Sequence, residues 1–387
     1  MIGGFAFNTS ARILFENGAS ARISRSASHL LGPRPFVITD RGIIAAGLLE
    51  KTLQDLADSG STPGLYQDVQ ADPARALVNA AVDAARAHET TSVIGFGGGS
   101  SLDIAKLVAL LLGSGEDLDE AWGVGNAKGP RLPLVLVPTT SGTGSEVTPI
   151  SIITVEDDEK RGVVSPVLLP DLAVLDPLLT LGLPAHVTAA TGIDAMVHAI
   201  EAYASRSANN NPVSKALAVE ALKLLGANIE TAVFDPANES ARGAMLLGSM
   251  LAGMAFANAP VAAVHALAYP IGGRFHVPHG LSNALVLPHV LRFNAPEAAD
   301  AYAELAPTIF PELAMVPDKM ERAETLADEL GRLTERLGLQ TTLREVGITS
   351  GHLPGMARDA MKQTRLLVNN PRNVTEDDAL AIYEAAL

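Results

Sequence analysis

Ser92-Val93-Ile94-Gly95-Phe96-Gly97-Gly98-Gly99-Ser100 is an apolar run that ends in three consecutive glycines and a serine. A short apolar run closed by turn residues reads as a buried strand. Helical spacing follows from about Leu102 to Leu112, so the segment reads as strand, glycine turn and helix. Glycines let a ligand approach the backbone closely, and a helix start offers free N–H groups and a positive dipole end, which suits an anion such as a pyrophosphate. The turn departs from the G-x-G-x-x-G fingerprint, because Ser100 stands where its third glycine would fall, and the chain has no Gly-Lys pair for a Walker loop. A tight turn without ligand is the competing reading of the same residues.

Working outward, Arg34–Asp40 reads as a strand, residues 41–59 as helical, Leu65-Tyr66-Gln67 as a weak strand and residues 74–88 as an Ala-rich helix. Leu134-Val135-Leu136-Val137 is a further buried strand, closed by Pro138. Strands separated by helical crossovers imply parallel pairing. After Asp176-Pro177 the apolar spacing turns helical and stays so to a last helix capped by Thr375. The expected architecture is α/β: a Rossmann-like parallel-sheet domain over residues 1–179 and an all-α domain over 180–387.

Composition narrows the function. The 387 residues are 48% hydrophobic and 18% charged, a balance that builds a core and excludes a disordered chain. Lys and Arg number 28 against 43 Asp and Glu, a net charge of -15 that argues against nucleic acid as partner. Absence of cysteine excludes disulfides, thiolate metal sites and thiol nucleophiles. Met1-Ile2-Gly3-Gly4 has no basic start before an apolar run, so a cytoplasmic location is expected. No fixed charge lies between Arg242 and Arg274, but Asn258, Pro260, His265, Pro270 and many small residues fit buried core helices better than a membrane span.

Two further features join the glycine turn. Pro138-Thr139-Thr140-Ser141-Gly142-Thr143-Gly144-Ser145-Glu146 closes a buried strand with hydroxyls and glycines suited to phosphates or a ribose, or to a polar surface turn. Asp40 ends an early strand, where a carboxylate accepts from both ribose hydroxyls of NAD and repels the 2′-phosphate of NADP; an ordinary helix-start Asp looks the same. All three lie at strand carboxyl ends, where open parallel sheets bind dinucleotides.

The helical half carries a second signal. Asp194 and His198 are four apart in a helical stretch, Thr188–Glu201, so they share a face. A buried carboxylate needs a cation or a partner. Residues 243–291 hold one fixed charge, Arg274, yet four of the nine histidines: His265, His276, His279 and His289. An Asp with several imidazoles suits Fe(II) or Zn(II). A dinucleotide half beside a metal half points to metal-assisted hydride transfer between an alcohol and a nicotinamide.

With those residues placed, the chain resembles the iron-containing (group III) alcohol dehydrogenases, densest in Gly97–Lys106, Pro138–Glu146, Thr188–Glu201 and His265–Pro288. The resemblance implies a dehydroquinate synthase-like architecture with the active site in the cleft between the two domains. It implies metal ligands Asp194, His198, His265 and His279, with Fe(II) usual and Zn(II) an alternative. It also implies NAD contacts at Asp40, Gly97, Gly98, Gly99, Ser100, Thr139, Thr140, Thr143 and Lys160, with Asp103 and Lys106 as motif members. A homodimer or larger homo-oligomer acting on a small alcohol or carbonyl is the implied state.

The chain departs from the family pattern at Tyr269, where several lactaldehyde reductase-like members have a histidine. An ordinary phenol, with a pKa near ~10, is a poor base at neutral pH. Tyr269, His276, a ribose hydroxyl and a water chain are the candidates for the proton route, with His279 the catalytic ligand. Ile150, Phe256, Ala262 and Ala263 point to a small apolar substrate pocket. Dehydroquinate synthase-like and maleylacetate reductase-like chemistry on the same fold, and a structural subunit with vestigial chemistry, are the alternatives.

Overall fold

The computed structural model of the chain describes residues 3–155 and 160–387, and Met1 and Ile2 of the amino-terminal reading lie outside it. The described residues divide into two compact units, one within Asn8–Leu181 and one of residues 3–7 with Gly182–Leu387.

The first unit contains strands β1 (Ile13–Phe15), β2 (Pro35–Asp40), β3 (Gly64–Val69), β4 (Ser92–Gly97), β5 (Gly123–Val124), β6 (Leu134–Pro138), β7 (Ile150–Thr154), β8 (Lys160–Val164) and β9 (Leu172–Leu175). Its helices are α1 (Ile23–Ser26), α2 (Arg41–Ala45), α3 (Glu50–Asp58), α4 (Arg75–Ala87), α5 (Gly99–Ser114) and α6 (Leu118–Ala121). Six strands form one parallel sheet in the order β1-β9-β6-β4-β2-β3. Every residue of β4 and β6 is buried, which explains why they read as unbroken apolar runs rather than alternating ones.

From β2 the chain steps outward to β3, then returns to place β4 on the other side of β2. The strand order therefore reverses between β2 and β4. That reversal opens a crevice at the strand carboxyl ends, the usual ligand position of an open α/β sheet. Residues 41–59, read as one helical stretch, form two helices, because Gly47 takes a left-handed φ of +69° and breaks the run. The edge strand β1, the buried β9 and the small sheet β5-β8-β7 were not legible in the sequence, and β7 pairs with β8 antiparallel.

The second unit is helical: α7 (Ala185–Ala204), α8 (Pro212–Phe234), α9 (Glu239–Asn258), α10 (Ala263–Phe275), α11 (His279–Ile309), α12 (Lys319–Arg336), α13 (Leu353–Ala360), α14 (Thr364–Leu367) and α15 (Glu376–Ala385). Helix α15 starts at Thr375, whose hydroxyl and the Asp378 carboxylate cap each other's backbone N–H groups. By length and composition α9 could cross a membrane, yet 67% of its apolar window is buried within the structure, where it packs on α7 and α8. Helix α7 is buried on nearly every face from Thr188 to Tyr203, so its polar residues must find partners inside the unit.

Candidate active site

In the α/β unit the glycine turn and Asp40 meet at the reversal point. Gly97 ends β4 with φ +148°, and a Cβ there would stand 2.8 Å from Ser101 Oγ, so the position requires glycine. The nearest atom of Asp40 is 3.3 Å from the same point. Asp40, Asp68, Gly98, Gly99, Ser100 and Ser101 line one cavity of about 650 Å³, a volume typical of small-molecule sites. The Asp40 Oδ1 also accepts from Ile43 N at 3.1 Å, so this carboxylate is both the α2 cap and a wall of the cavity.

The threonine loop backs the turn. Thr139 N donates to Gly97 O at 3.0 Å. Thr140 lies 3.7 Å from where a Gly98 side chain would begin, and Thr143 Cγ2 lies 2.8 Å from where one at Gly99 would. Lys160 sits on β8, ion-paired with Asp72 and donating to Thr154 Oγ1 at 2.9 Å.

Asp103 and Lys106, one turn apart on α5, fasten this loop from below. Lys106 is wholly buried and donates to Ser145 Oγ (2.8 Å), Thr148 Oγ1 (3.2 Å) and Ile150 O (2.6 Å). Asp103 accepts from Ser145 Oγ at 2.6 Å and Ile152 N at 2.9 Å. Burial pushes the Asp103 carboxyl up and the Lys106 ammonium down, and their mutual attraction offsets part of both shifts. Burial also raises the neighbouring Glu146 carboxyl to about 7.

In the helical unit four side chains converge. Asp194, His198, His265 and His279 place their ligand atoms within 4.8 Å of one another. Asp194 Oδ1 is 4.0 Å from His198 Nε2, 3.8 Å from His265 Nε2 and 3.7 Å from His279 Nε2. Ligands about 2.1 Å from a tetrahedral cation stand about 3.4 Å apart, within roughly 0.3–0.6 Å of the three Asp194 distances. Gly280 makes the convergence possible, since a Cβ there would lie 2.2 Å from Ala190 O, so α11 presses directly onto α7 beside Asp194.

Burial alone would raise the Asp194 carboxyl. The imidazoles of His198, His279 and His265 and the Asn283 amide outweigh it, holding the carboxyl below its usual range. His198 stacks between Phe256 (4.3 Å between centroids) and His265 (4.7 Å), which fixes its ring plane. His279 is the open member, its side chain 41% exposed.

Two residues in this centre escaped the sequence reading. Glu201 Oε2 lies 2.6 Å from His265 Nδ1, and its Oε1 accepts from Val264 N at 2.7 Å. A carboxylate on Nδ1 puts that nitrogen's proton between them and leaves Nε2 as a lone-pair donor, as metal-binding histidines require. The signal was present: Asp194, His198 and Glu201 stand at i, i+4 and i+7 on one helix face. Replacing Glu201 with Ala is expected to weaken metal affinity by about 10- to 100-fold in chelator competition, with Gln intermediate. Unchanged affinity in both variants would remove Glu201 from the centre. Asn283 is the second, one turn beyond His279 on α11.

The remaining candidates lie around or apart from the cluster. The Tyr269 ring is 6.1 Å from that of His279, and its hydroxyl accepts from Arg365 Nη2 at 3.5 Å. His276 is an exposed, left-handed cap at the end of α10, outside the four-residue group. His289 is also outside it, and burial lowers its imidazole to about 4, so it is neutral at physiological pH. Ala263 begins α10 two residues before His265, with Ala262 as the cap before it.

The donor set of one carboxylate oxygen and three imidazole nitrogens, with no thiolate, fits Fe(II) or Zn(II). Asn283, beside this set, carries a buried oxygen with no hydrogen-bond partner.

Both halves of the chain match one family of known proteins. Residues 10–177 match the iron-containing alcohol dehydrogenases, and residues 188–387 match the C-terminal part of the Fe-containing alcohol dehydrogenase family. The chain is 41% identical to long-chain-alcohol dehydrogenase 1 of Geobacillus thermodenitrificans, over 97% of this chain and 96% of that one. It superimposes on crystalline 1,3-propanediol oxidoreductase with a TM-score of 0.95, at 33% identity over the whole of both chains. Sulfoacetaldehyde reductase from Bifidobacterium kashiwanohense, solved in complex with NAD+, gives a TM-score of 0.87 at 28% identity over 99% of each chain. With both halves matched and the ligand cluster assembled, the chain belongs to the iron-containing alcohol dehydrogenase family.

Proposed function

We propose that the chain oxidises a small alcohol, or reduces the matching aldehyde or ketone, using NAD(H) and Fe(II) held by Asp194, His198, His265 and His279. The observation that carries the proposal is the buried carboxylate ringed by three imidazoles in a chain of this family. A divalent cation there is a Lewis acid that polarises a carbonyl or lowers the pKa of an alcohol. Bound NAD supplies the hydride acceptor or, when reduced, the donor.

The protein's own groups do the rest. Asp194 offsets the cation's charge, and Glu201 keeps His265 in the binding tautomer. Phe256 with Ala262 and Ala263 makes the surroundings apolar, which favours a small substrate and excludes water. Tyr269, its ring 6.1 Å from that of His279, is a hydroxyl candidate for passing a proton, with Arg365 donating to it. The Gly97–Ser100 turn, Asp40, the Thr139–Thr143 loop and Lys160 form the proposed cofactor side. A homo-oligomer is the state taken from the family resemblance.

The test is NADH formation with short-chain alcohols, abolished by a chelator and restored by Fe(II). A metal-loaded protein that binds no NAD(H) in calorimetry would overturn the reading. Cofactor choice has its own test. Asp40→Ser keeps an oxygen cap for Ile43 N but removes the charge facing a 2′-phosphate, and Arg41 beside it lines the same cavity. The ratio of NADP to NAD affinity is expected to rise by about tenfold, or ~1.4 kcal/mol. An unchanged ratio would remove Asp40 from the ribose site.

A further inference from the structure

Asn283 is fully buried on α11, one turn past His279. Its Nδ2 lies 2.6 Å from Asp194 Oδ1, 3.3 Å from His265 Nε2 and 3.4 Å from His279 Nε2. Three of the four proposed ligand atoms therefore face one amide. The other end of that amide, Oδ1, is buried and has no hydrogen-bond partner. A buried orphan acceptor gives up its hydration with nothing in return, so it calls for a reason.

We infer that Asn283 is a fifth polar member of the metal centre, and that its carbonyl oxygen faces the cation. A cation bound by Asp194 and the imidazoles takes the lone pairs to which an N–H would donate. An N–H directed at that cation is repelled, whereas a carbonyl dipole is attracted. The two ends of an asparagine amide are nearly isosteric, so a half-turn exchanges them without moving the helix. Nothing holds Oδ1 from the far side, so the half-turn breaks no other bond of that oxygen. The centre then offers two oxygens and three nitrogens, a harder set than the four-residue group alone, and one that favours Fe(II) over a strictly tetrahedral ion.

The inference rests on the metal reading, and the tests separate the two. Metal-stripped wild type, Asn283→Leu and Asn283→Asp are loaded with Co(II), with affinity read by chelator competition and coordination by visible absorption. Asn283→Leu, near in size but apolar, is expected to bind about 10- to 100-fold more weakly. Its Co(II) bands should intensify as the ion loses a donor and becomes more nearly tetrahedral. Asn283→Asp keeps an oxygen toward the ion and is expected to bind at least as tightly as wild type.

Wild-type affinity and spectrum in Asn283→Leu would overturn the inference. Comparable weakening in both variants would also overturn it, assigning the amide as an N–H donor to Asp194. If Asn283→Leu does not fold, Asn283→Asp and the wild-type spectrum decide: weaker binding, or a purely tetrahedral spectrum, rejects the oxygen donor. If Asp194→Ala also binds as wild type does, the metal reading itself fails, which is a different result from failure at Asn283 alone.

Discussion

Asp194→Ala is expected to abolish tight metal binding and lower turnover by about 10³-fold or more, since the cation's Lewis acidity is worth several kcal/mol. Asp194 is the one anion of the four-residue cluster. Without it, three imidazoles would hold a divalent charge in an apolar interior with only the Glu201 carboxylate, on the far side of the His265 ring, to offset it. Asp194→Asn should therefore resemble Ala, although it preserves shape, because the missing quantity is charge. The metal-free variant should be somewhat less heat-stable than metal-free wild type, since the imidazoles and the Asn283 amide lose the carboxylate they hold below its usual range. Added metal should raise the Tm of wild type only, because only that protein has a site to saturate. A variant that gains as much Tm from metal as wild type would place the cation elsewhere.

The second large effect concerns stability. Asp103→Ala is expected to destabilise the α/β unit by about 3 kcal/mol, because breaking a buried ion pair leaves its partner uncompensated. Lys106, with no exposed surface, then keeps Ser145, Thr148 and the Ile150 carbonyl as acceptors, and Glu146, its own carboxyl raised by burial, as the nearby acid. Ser145 and Ile152 N each lose their acceptor. For a unit of this size the loss corresponds to a fall in Tm of roughly 6–12 °C. NAD affinity should fall as well, because Ser145 ties down the loop that carries Thr139, Thr140 and Thr143. A fall of less than about 2 °C would mean that Lys106 simply loses its proton and that the network bears little of the unit's stability.

The parts of the fold legible in the sequence were those with long or unbroken patterns. Ser92–Gly97 and Leu134–Pro138 are buried on both faces, so composition alone marks them as central parallel strands. Ile13–Phe15 and Leu172–Leu175 are only a few residues long, and nothing local distinguishes such runs from apolar turns. Their strand identity comes from pairing with each other across the sheet, which no local window contains.

The ligand cluster divides in the same way. Asp194 and His198 share a helix face, so their pairing was legible directly. Which of His265, His276, His279 and His289 join them depends on how α10 and α11 pack on α7. In the structure His276 is an exposed cap and His289 lies outside the group. Glu201 and Asn283 had a readable signal, each at ligand spacing on its own helix. They were passed over because a Glu or Asn at that spacing is ordinarily a surface residue.

The metal content of protein purified anaerobically and analysed by element is the most direct test of this centre. Iron is expected in stoichiometric amount with the chain, lost in His265→Ala and recovered by stripped wild type on adding Fe(II). Wild-type protein that carries no divalent metal and takes up none, or a His265→Ala variant that retains it in full, would contradict the account.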